Sequence, residues 1–194
     1  MLEHDPSWEE REQRFASLYR EHYPRIWAYA MRRTERHADA GDVVADVFTI
    51  AWRRLAEVPD PPADLLWLYG VARRVVAGKR RSARRLRDLI ARLQANPVTA
   101  PASTGDQLTD RLLDAVATLR PAEREAIALV HWEQLSHDEA AQVLGCSANA
   151  VAIRVHRARS RLRHSLAESD AAQPHVRKQR AATMVPDPSQ AREG

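Results

Sequence analysis

Two stretches of this 194-residue chain carry the residue types that hold phosphate. Between Arg73 and Arg87 lie eight basic residues and no acidic one, and between Ser147 and His164 lie five arginines and no carboxylate. A guanidinium offers a planar fork of donors matched to phosphate oxygens, so acid-free arginine blocks suit a nucleic-acid backbone. Each block taken alone also describes a solvated helix face. Neighbouring residues sharpen the reading. Trp67 and Tyr69 lead into Arg73, Arg74, Lys79, Arg80 and Arg81. Rings beside guanidinium groups suit unpaired nucleic acid, where each stacked base is worth about 1–3 kcal/mol. The competing use of both rings is as core.

In the second block, Asn149, Ile153, His156 and Ser160 share one helical face, flanked by Ala152 and Arg157. Asn149 and Arg157 suit base edges in a major groove, and Ile153 suits a thymine methyl group. Arg154, Arg159 and Arg161 are placed for phosphates. Val151, Val155, Ala158 and Leu162 form the opposite seam, which must face a core.

Catalytic chemistry finds little support. Asp39, Asp42 and Asp46 share a face with Arg53, without a His partner or the glycine-turned loop of a calcium site. Such an acidic stripe is either a wet face or a docking surface for a partner. Eight His are scattered without metal-ligand spacing, and the one cysteine, Cys146, makes an internal disulfide impossible. No metal, cofactor or enzymatic role is expected.

Helices must position these groups. Hydrophobic spacing predicts one helix around Phe15, Leu18, Tyr19, Ile26, Trp27 and Tyr29, with Pro24 marking a break or a new first turn. A second, from about Ala38 to Leu55, gathers Val44, Val47, Phe48, Ala51 and Leu55 opposite the aspartates. The third follows the turn Pro59-Asp60-Pro61-Pro62, with Leu68, Val71 and Val75 as its apolar side. Further on, Leu112, Leu113, Val116 and Leu119 make an amphipathic helix, and Pro121 opens another. Ser136 with Glu139 predicts a capping box, Gly145 a left-handed helix end, and Ser147 the cap of the arginine helix. Two helices joined so tightly form a helix-turn-helix.

The chain is therefore expected to be all-α: two small helical domains joined by a flexible linker, the second a helix-turn-helix. The expected domains are 1–92 and 108–168, with a linker over 93–107 and a disordered tail over 169–194. The net charge is +4. The acidic amino terminus does not resemble a secretory signal, and no apolar run approaches the ~20 residues that span a bilayer. A cytoplasmic protein without membrane insertion is expected.

Four segments, in order, resemble the extracytoplasmic-function sigma factors of the sigma-70 family over about residues 11 to 167: FASLYREHYPRIWAYA, DAGDVVADVFTIAW, WLYGVARRVVAGKRR and LSHDEAAQVLGCSANAVAIRVHRARSRL. The resemblance implies a non-catalytic factor, monomeric when free, that binds core RNA polymerase and promoter DNA, with an anti-sigma factor as a further partner. It implies core-polymerase contacts at Asp39, Asp42, Asp46 and Arg53. It implies −10 contacts at Trp67, Tyr69, Arg73, Arg74, Lys79, Arg80 and Arg81, with the proline turn helping to capture a flipped base. It implies −35 contacts at Asn149, Ala152, Ile153, Arg154, His156, Arg157 and Ser160. Gly41 and Ala45 depart from residue types frequent in that family on the polymerase-contacting helix, so the distribution of that contact is not carried over; Arg74, Gly78 and Ala152 depart on the promoter-contacting helices, so promoter preference is not carried over either. The competing class is a stand-alone dimeric helix-turn-helix regulator, which would bind a palindrome tightly without polymerase. It gives no reason for the Trp-Arg helix.

Overall fold

The computed structural model describes the backbone of residues 6–93 and 114–171, and the side chains of residues 7–86 and 114–168. Helices are α1 (Pro6–Met31), α2 (His37–Arg53), α3 (Ala63–Leu93), α4 (Pro121–His131), α5 (His137–Leu144) and α6 (Ala148–Ala171). A 3-10 turn covers Leu55–Glu57, residues 114–117 are helical, and no strand occurs among the described residues. The chain is all-α, as its hydrophobic spacing predicts. Most of the expected linker and tail lies outside the described residues, but positions 169–171 are the last residues of α6 rather than tail.

The chain divides into two compact units: Met1–Pro101 with Ala128–Ala152, and Ala102–Ile127 with Ile153–Gly194. In the first, α1, α2 and α3 bury one continuous set of side chains. Ile26 and Tyr29 from α1, Val43 and Val47 from α2, and Leu68 and Val71 from α3 are essentially sealed from solvent. The pattern follows from helical periodicity, because residues three, four and seven apart return to one face. α1 runs unbroken through Pro24. An interior proline costs about 3 kcal/mol. Burial of Leu18 on one side of it and Ile26 on the other returns about 1.5–3 kcal/mol each, so packing wins over the local signal.

Along the outer side of this core runs an aromatic ladder. Trp8 and Phe15 meet Trp52 edge-on at 5.3 and 5.1 Å between ring centroids, and Tyr19 lies 4.6 Å from Phe48. Such pairs each add about 0.5–1.5 kcal/mol beyond their buried area. Through Trp52, the Trp8 and Phe15 rings of α1 are tied to α2.

One buried polar pair pins α1 to the start of α3. His22 Nε2 lies 2.8 Å from Asp64 Oδ2, both side chains sealed, and Asp64 Oδ1 accepts the Leu65 amide. Asp64 also stands in the first turn of α3, where the helix dipole favours a carboxylate.

The α5–turn–α6 unit follows its capping signals. The Ser136 hydroxyl accepts from the Glu139 amide while the Glu139 carboxylate accepts from the Ser136 amide, a reciprocal capping box. Those bonds hold the Glu139 carboxyl below the usual range. Gly145 ends α5 with φ of 65°, a conformation any Cβ disfavours, and the Cys146 amide reaches back to the Ala141 carbonyl. Ser147 then caps α6 through the Ala150 amide. In the second unit, Arg124 donates to the Val116, Ala117 and Leu119 carbonyls, and Glu123 accepts from the Arg120 amide and pairs with Arg161 at 3.4 Å. Glu123 stands in the first turn of α4, where the helix dipole favours a carboxylate, and its burial and its arginine emerge only from the fold.

Replacing His22 with Leu strands the Asp64 carboxylate, and should lower unfolding free energy by about 2–3 kcal/mol in urea. His22→Gln, which keeps a donor, should recover part of the loss. Equal stability of the Leu variant and the parent would contradict a structural role for the pair.

Candidate nucleic-acid interface

α6 sorts its residues cleanly. Val151, Val155 and Ala158 are buried, and Leu162 half-buried, so the predicted seam faces inward. Asn149, Ile153, His156, Arg157 and Ser160 are exposed, whereas Ala152 and Arg154 are half-buried at the edges of that face. Ile153 is 43% exposed on an otherwise polar surface, an apolar group with nothing apolar to cover it within its own face. Exposed branched aliphatics in such a setting suit contact with a base methyl group. Cys146, in the turn, is half-buried.

α3 sorts its residues differently from the sequence expectation. Trp67, Gly70, Arg74 and Arg81 recur at intervals of three, four and seven, so they share one side of the helix. Trp67 is half-buried, with the Arg54 guanidinium 5.7 Å from its ring centroid, while Arg74, Arg80 and Arg81 are exposed and Arg73 half-buried. Just ahead of α3, a concavity at Pro59–Pro61 is bordered by Arg14, Glu21 and Leu55. Arg14 also donates to the Val58 carbonyl at 2.7 Å, which fastens this turn to α1.

Two residues of the predicted −10 set have partners within the protein. Tyr69 is 2% exposed, its ring 5.4 Å from that of Tyr29 and its hydroxyl 3.4 Å from Glu133. No base can stack on it there. Helical periodicity is the reason: one step of 200° beyond Trp67 carries Tyr69 to the core side of α3. Lys79 keeps a part-exposed side chain. Its ammonium lies 3.0 Å from Asp46 and 3.9 Å from Asp42, a surface ion pair across to α2.

The acidic side of α2 is open. Asp42, Asp46 and Arg53 are exposed, and Asp39 is half-buried. Asp39 forms a two-pronged bond with Arg36 at 2.9 and 3.1 Å, which holds its carboxyl below the usual range. Among the described residues no group of three or more His, Cys, Asp or Glu could hold a metal ion, and no helix is long and apolar enough to cross a membrane.

A cluster that sequence reasoning missed surrounds Glu133. Its side chain is 2% exposed and accepts from Arg32 Nη2 at 2.5 Å and Arg33 Nη1 at 3.0 Å. Arg33 in turn covers the Tyr29 ring at 3.5 Å. A hundred residues separate the partners, and no local pattern marks a lone glutamate between Trp132 and Gln134 as a buried acceptor.

Comparison with known proteins gives a consistent result over most of the chain. The family model for Sigma-70 region 2 matches residues 18–86, and that for Sigma-70, region 4 matches residues 109–162. The chain is 35% identical over 159 residues to the ECF RNA polymerase sigma factor SigL of Mycobacterium tuberculosis, covering 78% of this chain and 88% of SigL. It is 29% identical to the RNA polymerase sigma factor CarQ of Myxococcus xanthus, over 79% of this chain and 90% of CarQ. Among solved structures, the sigma factor RpoE of Bartonella quintana, crystallised with the anti-sigma factor NepR, aligns with a TM-score of 0.60 and 26% identity, covering 78% of this chain and 96% of RpoE. CnrH, in complex with the cytosolic domain of CnrY, aligns with a TM-score of 0.57 and 27% identity, over 80% of this chain and 88% of CnrH.

Burial, reinforced by the Glu133 charge, pushes the Tyr69 hydroxyl up to about 12 from its ordinary value of 10. The folded state therefore holds this proton more tightly than the unfolded chain does. Its contribution to stability is intact below about pH 10 and is lost as pH rises through about 12. Thermal melts between pH 9 and 12 should show this decline, and Tyr69→Phe should flatten it. An identical slope in both proteins would refute the assignment.

Proposed function

Because the chain belongs to the extracytoplasmic-function branch of the sigma-70 family, and so is an RNA polymerase sigma factor that binds core polymerase and directs promoter recognition, we propose a residue-level division of that work. The outer face of α6 reads duplex −35 DNA. Asn149 and Arg157 address base edges, Ile153 a thymine methyl group, and Arg154, His156 and Ser160 flank them beside Ala152. The separation of an exposed polar face from the buried Val151–Val155–Ala158 seam is the single observation that carries this reading. A helix with that face fits a major groove, and its basic flanks neutralise phosphates on either side.

The face of α3 that holds Trp67, Arg74 and Arg81, with Arg73 and Arg80 beside it, takes the unpaired −10 strand. The concavity at the proline turn is its base pocket. Tyr69 is not part of this set. Asp42, Asp46 and Arg53, with Asp39 at the edge, dock on core polymerase. Their support is exposure on one side of α2 opposite a sealed core. Residues 1–92 and 108–168 act as the −10 and −35 modules, in a factor that is monomeric when free and works in the cytoplasm. The bond-making chemistry is the polymerase's, and the factor supplies binding energy and position. The complex of RpoE with the anti-sigma factor NepR favours an anti-sigma partner for this chain too.

Arg157→Ala should weaken −35 duplex binding by the holoenzyme about 10- to 100-fold, since a good bidentate base contact is worth about 1–3 kcal/mol. Its affinity for core polymerase should be unchanged; parallel loss of both would refute the division of roles. Asp46→Arg should lower core-polymerase affinity about tenfold or more by placing like charge in the interface. A folded Asp46→Arg protein that binds core normally would remove α2 from that role.

A further inference from the structure

We propose that Glu133 is an intramolecular latch, holding α5 against the Trp67 face of α3 so that the free protein covers its own single-strand surface. The proposal rests on the assignment of that face to the −10 strand. α5 packs directly on α3. The cleft they share has Leu66, Trp67, Gly70 and Arg74 on one wall, and Gln142 and Val143 on the other. An unpaired base stacking on Trp67 and a phosphate approaching Arg74 need the space that α5 occupies.

Glu133 lies in the short connection between α4 and α5, and is the point at which that connection is fastened to the turn after α1 and to α3. Its sealed carboxylate takes Arg32, Arg33 and the Tyr69 hydroxyl together. Ionic contacts of this kind contribute little net stability compared with apolar packing, because both charges lose their hydration. They do fix one arrangement over others, and removing one partner leaves the other buried and unsatisfied. That combination suits a clasp that must open.

Spin labels at Ser82→Cys and His137→Cys, both exposed positions, in a full-length Cys146→Ser background report the distance between α3 and α5. The parent should give one narrow distance distribution, and Glu133→Gln a broad one extending to longer distances. The affinity of the free protein for a fluorescent single-stranded 20-mer of mixed sequence should rise about fivefold or more with the same substitution. Arg32→Ala, at the more exposed end of the cluster, should act in the same direction, which guards against a Glu133→Gln protein that merely fails to fold. The exchange Arg32→Glu with Glu133→Arg should restore part of the narrow distribution. An unchanged narrow distribution in folded Glu133→Gln and Arg32→Ala proteins overturns the latch. A broadened distribution with unchanged strand affinity overturns the covering of a DNA surface, and faults the −10 assignment of α3 rather than the contact itself.

Discussion

The first three helices depend on one buried stripe, and the placement of every charged group in that region follows from it. Ile26, Tyr29, Val43, Val47, Leu68 and Val71 are sealed together, and a guanidinium or carboxylate on the same helices must take whatever side remains. α2 is left with one side for Asp42, Asp46 and Arg53. α3 is left with one for Trp67, Arg74 and Arg81. The polar faces are therefore separated by the geometry of the core, and the two kinds of partner they suit, a protein surface and a nucleic-acid strand, need not compete for the same side of a helix.

Carboxylates then sort the cations. Lys79 is turned to Asp42 and Asp46, Arg161 to Glu123, and Arg32 and Arg33 to Glu133. In a chain so rich in arginine, an ion pair does less to stabilise the fold than to decide which positive charges face which way. Lys79 shows the consequence: it stands within the basic run of α3 yet belongs electrostatically to α2. Glu133 shows a second one, because a sealed acid beside two arginines defines which surface of α3 the neighbouring α5 covers.

Much of this was legible before any coordinates. The capping box at Ser136 and Glu139, the left-handed Gly145 and the inward seam of α6 are local features, set by hydrogen bonds and dihedral preferences within a few residues. Periodicity likewise located α2 and its aspartates. Less legible was the path of α1 through Pro24, where burial on both sides outweighs a local helix breaker. The His22–Asp64 pair and the Glu133 cluster join residues 42 and 100 or more positions apart, and left no pattern in the chain.

Sequence alone determined the helical class, the helix-turn-helix, the opposed faces of α2 and α6, and the family, because each is written in spacings shorter than a helix or in the order of four short segments. Tertiary structure alone decided that Tyr69 turns inward while Trp67 stays at the surface, that Lys79 answers to α2, and that Glu133 is sealed against Arg33. Those outcomes turn on which distant side chains arrive at a given face, and the free energy of a buried charge or ring depends on partners that no local window contains.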